Sequence, residues 1–240
     1  MSHPPDTSPR GAAVISGAGS GIGREIALEL GRRGFPLALL GRREDSLRET
    51  LALSGVEDGF ALSIDVRDAG TVEAAAREIE ARWGSAAVLV PAAGVAAIAP
   101  LDELAPDDFA AMLATNLGGT FHLIRAFLPA MKRRGSGWIF PILSVAARRA
   151  FPGWGGYAAS KWGLDGLVAC LREELRGSGI RITALYPGAT DTSIWDGLAG
   201  WDRDAMVPPR EVARAISYAL DADPKALIEE IQLGPAGGAL

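Results

Sequence analysis

The stretch Ala12-Ala13-Val14-Ile15-Ser16-Gly17-Ala18-Gly19-Ser20-Gly21-Ile22-Gly23 joins an apolar run to a glycine-rich turn and then to an amphipathic segment reaching Gly34. A strand feeding a helix through glycines is the setting in which a turn can hold a dinucleotide. Glycine removes the side chain where backbone must approach a pyrophosphate, and the first N–H groups of a helix have no internal partner and attract an anion. Ser16, Gly17, Gly19, Ser20, Gly21, Ile22 and Gly23 are therefore expected to bind a nucleotide cofactor.

Outward from this turn, short apolar runs alternate with longer amphipathic segments, which predicts an α/β fold with a parallel sheet covered by helices on both faces. Strands are expected at Ala12 to Ser16, Pro36 to Leu40, Phe60 to Ile64, Ala87 to Val90, Trp138 to Leu143, Ile180 to Leu185 and within Ala226 to Leu233, seven in all. Helices are expected near Ile22 to Gly34, Glu44 to Ser54, Ala69 to Trp83, Pro106 to Arg133, Gly156 to Gly177 and Pro209 to Leu220. Two of them open with proline in the first turn, where its missing N–H costs nothing. The segment 188–208 carries neither period and reads as a substrate loop.

A chain of 240 residues suits one domain, here 11–240, behind a Pro- and Ser-rich tail over 1–10 that reads as disordered. Cys170 is the only cysteine and His3 and His122 are the only histidines, which excludes an intrachain disulfide and leaves no thiolate set for zinc; no metal is expected. A net charge of -5 offers no basic footprint for nucleic acid. The longest uncharged stretch, Ser85 to Leu101, is divided by Pro91, Gly94 and Pro100, so it reads as sheet interior and not as a membrane span. With no apolar leader, a cytoplasmic location is expected.

The second strand ends Leu39-Leu40-Gly41-Arg42-Arg43. An acid at this distance from the glycine turn would bind the ribose 2'-OH of NAD. Gly41 supplies no carboxylate, and Arg42 and Arg43 can pair with a 2'-phosphate through charge-assisted contacts. NADP(H) is expected over NAD(H), with NAD(H) still possible.

Tyr157 and Lys161 stand one helical turn apart, thirteen residues beyond Ser144. Unit charges about 4 Å apart at an effective dielectric near 20 interact by roughly 4 kcal/mol, so the ammonium is expected to lower the phenol's pKa and make it a usable proton exchanger. A hydroxyl pair beside a nucleotide turn points to hydride transfer between a nicotinamide and a carbonyl or alcohol.

These residues together resemble the short-chain dehydrogenases/reductases over about Arg10 to Pro235. The resemblance rests on Ser16-Gly17 with Gly21-Ile22-Gly23, Asp65-Val66, Ala93-Gly94, Asn116, Ser144, Tyr157 with Lys161, and Pro187-Gly188 with Thr192. It implies a doubly wound sheet in the order 3-2-1-4-5-6-7. By the same resemblance Tyr157 is the general acid/base, Ser144 orients the carbonyl oxygen, Lys161 holds the nicotinamide ribose, and Asn116 holds a water behind the lysine. Asp65 and Val66 then meet the adenine, while Ala93, Gly94, Pro187, Gly188, Thr190 and Thr192 complete the cofactor site.

Two departures from that pattern stand out. Pro91-Ala92 replaces a pair of asparagines after the fourth strand, and Pro141 and Leu143 replace the usual polar residues before Ser144. Proline cannot donate to a ladder, so each is expected at a strand end or bulge, reshaping the sheet's carboxyl rim. Phe151, Trp154, Ile194, Trp195 and Trp201 are the candidate walls for an apolar carbonyl substrate, with Ser144 and Tyr157 at its reacting end; Arg148 and Arg149 could steer an anionic one such as a carrier-bound acyl group. Apolar residues on more than one face of Pro106–Arg133 predict a homodimer or homotetramer. The alternatives to a general carbonyl reductase are a 3-oxoacyl thioester reductase and a cofactor-binding sensor without turnover.

Overall fold

The computed structural model describes residues 11–196, 202–223 and 225–238. Strand β1 (Ala12–Ser16) leads into α1 (Gly21–Arg32), then β2 (Leu37–Gly41), α2 (Glu44–Ser54), β3 (Gly59–Ser63), α3 (Ala69–Trp83) and β4 (Ala86–Pro91). After a loop come α4 (Pro106–Met112), a π-helical turn at Leu113–Gly118, α5 (Gly119–Arg134), β5 (Gly137–Ile139) and α6 (Gly155–Glu174). The chain ends with β6 (Ile180–Ile182), β7 (Ala184–Pro187), α7 (Pro209–Leu220) and β8 (Glu230–Leu233).

The six-stranded parallel sheet runs β3-β2-β1-β4-β5-β6, and β7 pairs in parallel with β8. This is the doubly wound order, extended at its edge by β8 through a strand that is cut in two. Alternate residues of β1 feed opposite faces: Val14 packs with Val72, Phe127 and Leu164 from α3, α5 and α6, while Ala13 and Ile15 pack with Ile26, Leu47 and Ile216 from α1, α2 and α7.

Pro141 explains the cut. Thr183 donates to the Ile139 carbonyl, Leu185 to that of Pro141, and Leu143 to that of Leu185. The rung between them would run from position 141 to the Thr183 carbonyl, and proline has no proton for it. Pro91, last residue of β4, accepts from Ile142 but cannot donate the matching rung to Phe140. The expected strand at Trp138 to Leu143 is thereby shortened to Gly137–Ile139, and the one at Ile180 to Leu185 is divided.

The long helix expected at Pro106 to Arg133 contains the π-helical turn, and the expected loop at 188–208 contributes two short 3-10 turns, Ser193–Trp195 and Arg203–Ala205. The expected tail over 1–10 and Trp201 lie outside the described residues. No helix among the described residues is long and apolar enough to cross a membrane.

Candidate active site at the carboxyl ends of the strands

At the carboxyl end of the sheet lies a cavity of about 860 Å³. An open α/β sheet offers its crevice there because the strand order reverses between β1 and β4, parting the loops that follow them.

The glycine turn forms one wall. Gly17 has φ +67°, and a side chain on it would bring a carbon within 2.9 Å of the Ala93 backbone. Gly21 has φ +52°, and a carbon there would stand 3.0 Å from Thr192 Cγ2. Only glycine meets both demands. Ser20 precedes α1 without a side-chain cap, so the first amides of that helix remain available to an anion. Gly19, Ser20, Ile22 and Gly23 line the cavity with them.

Ser16 does not. Its buried hydroxyl accepts from Ala92 N–H and Ala93 N–H, each at 3.1 Å, so it fastens the end of β1 to the loop after β4 behind the lining residues. Arg42 and Arg43 are exposed at the cavity's far end, and the described residues include no ion pair to either. Asp65 and Val66 line the wall near them; Asp65 is bound by Arg67, which holds its carboxyl below the usual range.

The other wall carries the hydroxyl cluster. Ser144 follows the irregular end of β5 and caps a 3-10 turn over Val145–Ala147, accepting from Ala146 N–H at 3.1 Å. Tyr157 and Lys161 occupy successive turns at the start of α6, both buried. The Ser144 hydroxyl lies close enough to the phenol to favour its ionised form. Lys161 Nζ donates to the Ile142 carbonyl at 2.8 Å and lies 5.6 Å from the centre of the Tyr157 ring.

Burial pushes the phenol up to about 12, only partly opposed by Ser144, and burial brings the Lys161 ammonium down to about 8. The expected lowering of the tyrosine by the lysine is not what the protein alone produces. Desolvation disfavours the charged form of each group and is the largest cause of both shifts. The phenol is thus held protonated across the neutral range.

Asn116 lies behind the cavity surface. Its side chain is fully buried: Nδ2 donates to the Val95 carbonyl and to Ser160 Oγ, and Oδ1 accepts from Val95 N–H, all at 2.9 Å. The π-helical turn directs the amide inward, where it pins the loop after β4 against α6. Gly94 fits between: a carbon added there would lie 3.4 Å from Asn116 Oδ1 and 4.0 Å from Lys161 Nζ.

Around Tyr157 the wall is apolar. Trp154 meets the Tyr157 ring edge-on at 5.4 Å and the Trp195 ring at 5.5 Å, while Phe151 and Ile194 pack beside them. Trp195 Nε1 donates to the Thr190 carbonyl at 2.9 Å, which satisfies its one polar atom in an apolar setting. Pro187, Gly188, Thr190 and Thr192 close the cavity between the two walls. Sequence reasoning missed Gln232, Gly234, Pro235 and Gly238, which join the wall because Gly188 N–H bonds to the Leu233 carbonyl at 2.7 Å. No local pattern signals that pairing.

Arg148 is not available to a ligand. It binds Tyr186 Oη, Asp165 and Glu230, and lies over the Tyr186 ring. Arg149, its neighbour, faces the cavity with no ion pair among the described residues. Among the described residues no cluster of three His, Cys, Asp or Glu could hold a metal.

A family model described as short chain dehydrogenase matches residues 11–202. The chain belongs to the short-chain dehydrogenase family. Among curated members it is 35% identical to sepiapterin reductase of Chlorobaculum tepidum, across 94% of this chain and 96% of that protein. It is 34% identical to D-threitol dehydrogenase of Mycolicibacterium smegmatis, across 94% and 91%. The structure of an alcohol dehydrogenase from the archaeon Thermococcus sibiricus, complexed with 5-hydroxy-NADP, superposes with a TM-score of 0.86 at 32% identity, covering 96% of this chain and 98% of that one. As a short-chain dehydrogenase the chain is an oxidoreductase. Its relatives carry names as different as sepiapterin reductase and D-threitol dehydrogenase, so membership names no substrate.

Proposed function

We propose that this short-chain dehydrogenase transfers hydride between NADP(H) and a carbonyl or alcohol, with Tyr157 as general acid/base. The observation that carries the reading is that Ser144, Tyr157 and Lys161 line the same cavity as the uncapped glycine turn. NADP(H), when bound, supplies or takes up the hydride. Its diphosphate suits the Gly17–Gly23 turn, its 2'-phosphate suits Arg42 and Arg43, and its presence in the Thermococcus sibiricus structure supports the choice over NAD(H).

The chain's own part is proton handling and orientation. Ser144 donates to the carbonyl oxygen, Tyr157 delivers a proton to it, and Lys161 favours the phenolate that remains. A phenol held protonated suits the reducing direction at neutral pH. Asn116 acts as a positioning residue, keeping Val95 and α6 in register behind Lys161. Trp154, Phe151 and Trp195 form the wall against which an apolar substrate body lies, and 188–208 serves as the substrate loop of a single domain over 11–240. Phe109, Phe121 and Trp162 are exposed on α4, α5 and α6, which supports a subunit contact there.

The experiment is a spectrophotometric screen of NADPH and NADH against ketones, aldehydes, keto sugars and acyl thioester mimics. Substrate-dependent NADPH oxidation that Tyr157→Phe abolishes supports the reading. Tight NADPH binding with no turnover of any carbonyl would favour the sensor instead.

A further inference from the structure

We infer that the substrate end of the cavity recognises an anionic group, carboxylate or phosphate, borne on the apolar carbonyl compound, and that Arg149 is the residue that reads it. This rests on the proposed function and adds to it a class of substrate.

At the cofactor end the cations without an ion pair among the described residues are Arg42 and Arg43. At the substrate end the charged residues lining the wall are Lys161, whose buried ammonium is held on the Ile142 carbonyl beside Tyr157, and, nearer the mouth, Arg148, Arg149 and Asp196. Arg148 is consumed by Asp165 and Glu230, and Asp196 is paired with Arg203 at 3.1 Å. Among the described residues Arg149 is the exposed cation at this end with no ion-pair partner, in a protein whose net charge is -5.

Its setting also prepares it. The guanidinium carbon lies 5.3 Å from the centre of the Phe151 ring, and both residues line the cavity. A guanidinium resting beside a ring with no carboxylate partner keeps its N–H donors for a ligand, and its planar fork suits bidentate capture of a carboxylate or phosphate. Phe151 in turn packs with Trp154 around Tyr157. A ligand laid along these rings places its apolar body beside the phenol and its outer end toward Arg149. The anion has two sources, a carboxylate of a small substrate or the phosphate of a carrier arm.

Calorimetric titration of the NADP⁺-saturated enzyme with 2-naphthoate and 2-naphthamide tests the inference without requiring turnover. The naphthoate should bind about fivefold more tightly, the upper range for a charge pair at an open mouth, and the preference should shrink as salt rises. It should vanish in Arg149→Gln and survive in Arg149→Lys. In a second arm, acetoacetyl-CoA is compared with the uncharged acetoacetyl-N-acetylcysteamine in NADPH oxidation. An Arg149-dependent preference in this arm alone assigns the anion to a carrier phosphate, and one in the first arm to the small substrate. Equal handling of charged and neutral partners in both arms, or discrimination unchanged in Arg149→Gln, overturns the inference. Failure to bind NADP⁺ would instead sink the proposed function.

Discussion

Tyr157 and Lys161 are displaced in opposite directions by one cause, burial, and this sets how the site responds to pH. With the lysine near 8 and the phenol near 12, kcat/KM for carbonyl reduction should hold level from about pH 6 to 7.5 and fall above pH 8 as the ammonium is lost. A profile still level at pH 9.5 would separate activity from Lys161. Stability should move the other way. The lysine's ordinary value is 10.5, so between pH 8 and 10 the unfolded chain binds more protons than the folded one and stability rises with pH. Only three lysines are present, and the tyrosine contributes only above its ordinary value of 10, so the window is clean. Denaturant melts of Lys161→Met should lack that rise. At the cofactor end, replacing Arg42 and Arg43 together by serine should lower kcat/KM for NADPH tenfold or more while changing that for NADH less than threefold, each lost charge-assisted contact being worth about 1.5–3 kcal/mol. Ser16→Ala should act on folding and not on the cofactor directly, costing about 1–3 kcal/mol because two buried amides lose their acceptor.

Two elements depend on what a single residue withholds. In the β4-β5-β6 region, Pro91 and Pro141 each remove one rung at the carboxyl rim, and β5 and β6 are short although the chain runs on in register. Pro141→Asn should restore a donor opposite Thr183, and the new amide should exchange with solvent orders of magnitude more slowly than an open loop amide. Rapid exchange there would show that proline is not what divides β6 from β7. In the π-helical turn, one extra residue per turn brings Asn116 round to Val95 and Ser160. Neither effect follows from apolar periodicity, which extended both elements straight through.

At the scale of the whole molecule, the doubly wound order collects loops from six strands at one end and leaves α4, α5 and α6 as an outer layer carrying exposed rings. If that layer is the subunit contact, Phe121→Glu with Trp162→Glu should turn a dimer or tetramer into a monomer by light scattering, with secondary structure retained. The α/β class, most element positions, the nucleotide turn and the Ser144, Tyr157 and Lys161 cluster were legible in the sequence, because period, glycine spacing and helical spacing are local properties of the chain. The family resemblance supplied the strand order, which local pattern does not carry. Whether a polar side chain faces the cavity or is used up elsewhere was decided only by tertiary structure. Ser16 and Asn116 were spent on neighbouring backbone, Arg148 on two carboxylates, and Gly234 to Gly238 were carried into the wall by a strand pairing across more than forty residues. The physical reason is that hydrogen bonds and desolvation depend on what lies across space, and that is known only once distant segments have packed.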